Sequence, residues 1–176
     1  MQALYRGDEK GAAEVRATLT QPDVFEAAAL GEVETLRVLL DADTSGVSAW
    51  SDDGFTPLHY AAFFGRPEAA RLLLERGADL EAPARNEQFA LEARPLHCAF
   101  AARQKEVAVL LLDAGAEVNA REHEGTTPLH EAAQHGDAEL VRLLLERGAD
   151  PAAKLDDGRT PVDLAAGHPE VLELLA

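Results

Sequence analysis

Three histidines, His123, His130 and His135, fall within thirteen residues of an acidic chain, and Glu124 stands beside the first. Imidazoles and a carboxylate so placed are the groups a zinc ion or an acid–base reaction would use. A metal- or small-ligand-binding protein using His123, Glu124 and His135 is therefore one reading. Two features weigh against it. No cysteine joins the three histidines, since the lone Cys98 lies far from them in sequence. His130 also follows a Pro-Leu pair, as His59 and His97 do, so recurrence explains it without a ligand. The acidic pairs Asp52-Asp53 and Asp156-Asp157 each precede a glycine. Asp and Gly in that order make turns, and solvated turn carboxylates need no catalytic role. No Gly-x-Ser-x-Gly, phosphate-binding or dinucleotide-binding glycine motif occurs. The motifs call for no enzyme and no cofactor.

What positions these residues is a repeat. Thr127-Pro128-Leu129-His130 has near copies at Thr56-Pro57-Leu58-His59, Arg94-Pro95-Leu96-His97 and Thr160-Pro161-Val162-Asp163. The prolines are separated by 38, 33 and 33 residues. Within a unit, Thr127 suits a helix N-cap and Pro128 the first helical turn. Ala132 and Ala133 are small enough for close helix approach. Gly136 allows a tight turn into a second, Leu-rich helix over Leu140–Leu145, and Gly148 suits a left-handed C-cap. One such unit cannot bury its own apolar stripe, so the units must stack.

A period near 33 with a Thr-Pro-Leu-His mark identifies the chain as similar to the ankyrin-repeat family. The resemblance implies an all-α solenoid of helix–turn–helix units with extended fingers. It implies one domain: a degenerate N-terminal cap at 1–21, repeats at 22–48, 49–81, 82–119 and 120–152, and a capping repeat at 153–176. It gives the recurring histidine a hydrogen-bonding role within the stack. It also implies a non-catalytic scaffold that binds a partner protein on its concave face, formed by fingers and inner helices.

The departures from the pattern are informative. Repeat 1 opens on Asp23, an N-cap candidate, and has Asp43 where later units carry the C-cap glycine. Repeat 3 has a finger five residues longer, with the extra length in 83–93. Arg94 replaces the capping threonine, Arg103 the inter-helix glycine and Phe100 a small alanine. These three changes read either as tolerated drift or as a remodelled site. In repeat 2 the recognition positions carry Trp50, Asp52, Asp53, Phe55, Phe63 and Phe64, with Tyr60 nearby. Repeat 4 places Arg121, His123, Glu124, Gln134 and His135 at equivalent positions, so the fold does not require rings there. An aromatic patch with an acidic rim is expected to bind protein. Phe89, in the long finger, either extends that patch or folds over it.

Composition sets the remaining bounds. Of 176 residues, 32 are acidic and 16 basic, a net charge of -16. That field repels nucleic acid and anionic membranes and favours basic or neutral partners, besides promoting solubility. Cys98 has no second cysteine to pair with and is expected to be a buried, inert thiol. No apolar run reaches membrane-spanning length. A monomeric, cytoplasmic protein is the expectation, and the Ala, Leu, Arg and Glu content suggests a GC-rich bacterial source.

Overall fold

The computed structural model describes residues 22–85 and 92–176. The expected N-terminal cap at 1–21 and Phe89 lie outside the described residues. Inner and outer helices alternate along the chain. They are α1 (Val24–Leu30), α2 (Val33–Ala42), α3 (Pro57–Phe63), α4 (Pro67–Glu75), α5 (Pro95–Ala101), α6 (Lys105–Asp113), α7 (Pro128–His135), α8 (Ala138–Glu146), α9 (Pro161–Leu164) and α10 (Pro169–Leu175). Among the described residues there is no strand. The inner helices α1, α3, α5, α7 and α9 pack in sequence, and each also packs on the outer helix that follows it. In the outer layer α2 lies on α4, α4 on α6 and α8 on α10, whereas α6 and α8 approach each other less closely. The architecture is an all-α solenoid.

Small residues make this spacing possible. Ala27, Ala28, Ala61, Ala62, Ala99, Ala132 and Ala133 are all buried between neighbouring inner helices. Phe100 takes the place of one such alanine and is 1% exposed. Among the described residues it is the largest fully buried side chain, so this departure in repeat 3 belongs to the core. The alanines of α3 and α7 on either side leave the room its ring needs.

The recurring histidine joins one unit to the next. The Nε2 of His59 lies 3.0 Å from the Ala93 carbonyl, and that of His97 lies 3.0 Å from the Ala120 carbonyl. A carbonyl only accepts, so Nε2 carries the proton and Nδ1 is the acceptor. In repeat 2 the backbone N–H and the hydroxyl of Thr56 both donate to His59 Nδ1, at 3.2 and 2.8 Å. Thr127 and His130 repeat this arrangement at 3.3 and 2.8 Å. The threonine and histidine thus form a capping box in which the histidine ring accepts from the threonine N–H and hydroxyl. Thr127 is the N-cap expected from the sequence, and His130 completes a capping box with it. Arg94 has no acceptor, so in repeat 3 only its backbone N–H meets His97 Nδ1, at 3.4 Å. Its guanidinium works elsewhere: it donates to the Arg121 carbonyl at 3.0 Å and pairs with Glu81 at 3.1 Å, tying two neighbouring fingers together. Asp163 accepts from Thr160 as the histidines do but has no second nitrogen to offer a neighbour.

Other local expectations resolve simply. Asp23 accepts from the Glu26 N–H at 2.8 Å while the Glu26 carboxylate accepts from Asp23, a reciprocal capping box. Helix α2 ends at Asp43, which is extended and instead caps a 3-10 turn over Thr44–Ser48. Cys98 is buried, and burial pushes its thiol far above the usual range. The inert thiol expected from the sequence is what the fold shows.

The turns between inner and outer helices are completed by the following unit. A Cβ on Gly136 would lie 2.2 Å from the His168 ring, and the Arg66 side chain covers Gly31 in the same way. Arg103 adopts the left-handed conformation of these glycines, φ 58, although it carries a side chain. By repeat register the residue that would cover it is Asp137, which is short. The αL region costs a non-glycine residue about 1 kcal/mol. Arg103→Gly should therefore raise stability by about that amount, read from the midpoint of urea unfolding. Gly136→Ala should lower it by about 2 kcal/mol, because the His168 ring cannot yield like a flexible chain end.

Candidate protein-binding face

Each finger is closed at its base by one backbone bond: Ser51 to Phe55, Glu122 to Thr126 and Leu155 to Arg159, at 2.9, 2.9 and 2.8 Å. The long finger closes through Ala84 and Ala93 at 2.7 Å. Fingers also bond to each other, Arg85 N–H to the Gly54 carbonyl and Asp156 N–H to the Glu124 carbonyl. The recognition positions therefore sit on a braced row.

The structure brings the repeat 2 rings together. Phe63 and Phe64 meet edge to face at 5.1 Å between centroids, and Phe64 stacks on Tyr60 at 6.4 Å. Phe55 lies against both His59 and Tyr60, at 5.6 and 6.1 Å, and Trp50 is 6.3 Å from His59. Trp50, Phe55, Phe63 and Phe64 are half-buried, and Tyr60 is 3% exposed. The patch expected to be exposed is thus a partly sunken one, and its rings hold one another in place. The long finger does reach it, through Arg85, whose guanidinium lies 3.9 Å above the Trp50 ring. Asp52 is exposed. Asp53, expected to meet a partner's basic groups, accepts instead from Tyr60 at 2.5 Å and from Ser51 at 2.6 Å. Its carboxylate fixes the tyrosine that backs the ring patch.

The repeat 4 positions are polar and mostly solvated. Arg121 is turned inward along the finger row, donating to the Lys154 carbonyl at 2.8 Å and pairing with Asp156 at 3.2 Å. His123 and Glu124 lie on the finger tip, their side chains 67% and 74% exposed, and Gln134 and His135 are exposed on α7. His130 is fully buried, with Nδ1 engaged by Thr127. Its Nε2 faces the Ala153 and Arg159 carbonyls outside hydrogen-bonding geometry. The three histidines do not converge. Among the described residues, no group of three His, Cys, Asp or Glu side chains could hold a metal ion.

Sequence reasoning missed two residues of this face, Glu122 and Glu131. By register they stand where repeat 2 has Ser51 and Tyr60, whose side chains meet at 3.3 Å. Both carboxylates are close enough to Cys98 for their charges to push its thiol up. Among the described residues neither carboxylate has a hydrogen bond or an ion pair. Burial, then the charge of Glu131, raises Glu122 to about 8, with Arg94 pulling slightly the other way. Burial raises Glu131 to about 7. The signal was available in the sequence: a glutamate at the position filled by Tyr60 and Cys98 in the preceding inner helices.

Sequence models of ankyrin repeats match residues 24–87 (many copies) and 96–176 (3 copies). The chain belongs to the ankyrin-repeat family. Over 109 residues, 61% of its length, it is 41% identical to human neurogenic locus notch homolog protein 4, of which that stretch is 5%. It is 38% identical over 86 residues to the human DNA-binding protein RFXANK, matching 49% of this chain and 32% of the relative. It is 34% identical over 74 residues to palmitoyltransferase akr1 of Aspergillus oryzae, matching 42% of this chain and 10% of the relative. The chain therefore spans a third or less of each of these relatives. Ankyrin repeats generally mediate protein–protein interaction, and the family is typically a non-catalytic scaffold.

Protonation of the carboxyl pair makes stability depend on pH. An unfolded glutamate titrates near 4.5, so the folded pair holds its protons where the unfolded chain has lost them. Their contribution is complete below pH 4.5 and is lost as pH rises through about 7 to 8. Glu131→Gln should raise Tm relative to the unaltered chain at pH 9 and leave it nearly unchanged at pH 4.5, by scanning calorimetry at both values.

Proposed function

We propose that this ankyrin-repeat chain is a non-catalytic scaffold that binds another protein along its concave finger and inner-helix face. The ring patch of repeats 2 and 3 is the centre of that face. The observation that carries the reading is the row of half-buried rings, Trp50, Phe55, Phe63 and Phe64, where repeat 4 has polar side chains. Aromatic side chains bring large apolar area with few rotors to freeze, and they concentrate at interface centres. The exposed Arg121, His123, Glu124, Gln134 and His135 of repeat 4 form the polar continuation of this surface, and Phe89 of the long finger, which lies outside the described residues, is proposed as a further partner-binding residue. Arg121 gives orientation rather than energy, since its guanidinium is already engaged. The net charge of -16 favours a basic or neutral partner over nucleic acid or anionic membrane. A monomer in the cytoplasm fits this reading. No helix among the described residues is long and apolar enough to cross a membrane.

The test is Trp50→Ala combined with Phe64→Ala, used as bait in native lysate beside the unaltered chain. Two truncated anchors at an interface centre should weaken capture of the specific partner by about thirtyfold or more. Circular dichroism must show the helices intact. Full retention of the same partner by the double variant would remove the ring patch from the interface.

A further inference from the structure

Trp50 and Arg85 stand at the same repeat register as Arg121 and Asp156. In each pair the second residue donates its backbone N–H to the preceding finger, Arg85 to the Gly54 carbonyl at 2.8 Å and Asp156 to the Glu124 carbonyl at 2.9 Å. Arg121 and Asp156 then meet as an ion pair, so each charge finds its partner within the chain. Trp50 and Arg85 meet instead as a ring and a cation, 3.9 Å apart, and that contact uses one face of the guanidinium. We propose that Arg85 is a recognition residue, and that the partner lays an aromatic side chain on its outer face, completing a ring–guanidinium–ring sandwich with Trp50. The inference rests on the protein-binding reading above and names the chemistry of one anchor of the partner.

Three observations support it. First, the guanidinium is already in place. Its central carbon lies at carbon–carbon contact distance from the indole. A flat guanidinium reaches that distance, whereas an edge-on one would put a nitrogen in between. The backbone beneath it is fixed by the bond to Gly54 and by the neighbouring Ala84–Ala93 closure at 2.7 Å. Much of the side-chain entropy lost on binding is thus spent before the partner arrives. Secondly, Arg85 is exposed, and the other arginines of the finger row are engaged. Arg94 serves Glu81 and the Arg121 carbonyl, Arg121 serves Lys154 and Asp156, and Arg159 serves Asp157. Among the described residues Arg85 makes no ion pair and no side-chain hydrogen bond. Thirdly, charge selects the occupant. A carboxylate at the guanidinium edge would have to approach a chain of net charge -16, with Asp52 exposed on the Trp50 finger. An aromatic ring offers the cation the negative face of its quadrupole and carries no net charge for that field to repel.

The experiment selects a phage-displayed random dodecapeptide library on the immobilised full chain. Synthetic peptides from the enriched set are then measured by fluorescence anisotropy. The enriched peptides should share a Trp, Tyr or Phe. Changing that residue to Leu keeps apolar area but removes the π face, and should weaken binding about fivefold or more. Arg85→Gln and Arg85→Lys should each weaken the aromatic peptide by a similar factor, since lysine keeps the charge without the plane. Against Arg85→Gln, the aromatic peptide and its Leu form should bind alike, because the two changes remove one shared contact. Arg71→Gln, an exposed control on the outer helix α4, should leave all affinities unchanged.

Tighter binding by Arg85→Gln would make the guanidinium a cover that the partner must lift from Trp50. Full rescue by Arg85→Lys would make it a point charge, and enriched Asp or Glu whose binding is lost at high salt would place a carboxylate at its edge. Each of these results overturns the sandwich and leaves the protein-binding reading standing. Peptides indifferent to Arg85 but lost on Trp50→Ala with Phe64→Ala do the same. Peptides indifferent to all of these changes, or no enrichment at all, would overturn both. Circular dichroism of each variant establishes that it is folded.

Discussion

The stack depends on a buried imidazole that works in two directions at once. In its own unit His59 closes the start of α3 by accepting from Thr56, and across the unit boundary it donates to Ala93. His97 makes the same reach to Ala120. Both functions need a neutral ring with one protonated nitrogen, and burial secures this by lowering both groups to about 4. The fingers of repeats 3 and 4 are thus each held by a side chain of the preceding unit.

Much of the fold was legible because it is written redundantly. Proline, histidine and paired alanines return at steps near 33 residues in most units, and each has a physical job that the structure shows. The reading of the candidate face was less complete, for reasons that particular residues make clear. Asp53 looked like a partner contact because it stands at a finger tip, but a tyrosine seven positions on, across the turn, takes its oxygen. Arg121 looked available and is spent on the neighbouring finger. Conversely, Glu131 looked like an ordinary helix glutamate. The fold shows that its charge acts on Glu122 of the same unit and on the buried thiol of Cys98 in the preceding one. Sequence register tells which position faces the groove, whereas which side chains become partners is a property of three dimensions.

Repeat 3 divides into core and surface. Phe100 is a packing residue, Arg94 a tie between fingers, and Arg103 a strained turn. Each of these three departures has a structural role in the fold. The ring patch of repeat 2 and the carboxyl pair of repeat 4 flank this unit, and it sets the distance between them.

The inter-helix turns at Gly31, Gly65 and Gly136 are roofed by the following unit, which ties each of these units to its neighbour. Arg66 fills the space above Gly31, and His168 fills that above Gly136. Arg103 already occupies its own space, and only the short Asp137 follows it. A unit bearing a large side chain at that position could not be moved to follow repeat 3 without a collision. Although the repeats look interchangeable by motif, duplication, deletion or shuffling of units would succeed at some junctions and fail at this one. The chain is modular in its vocabulary and fixed in its syntax.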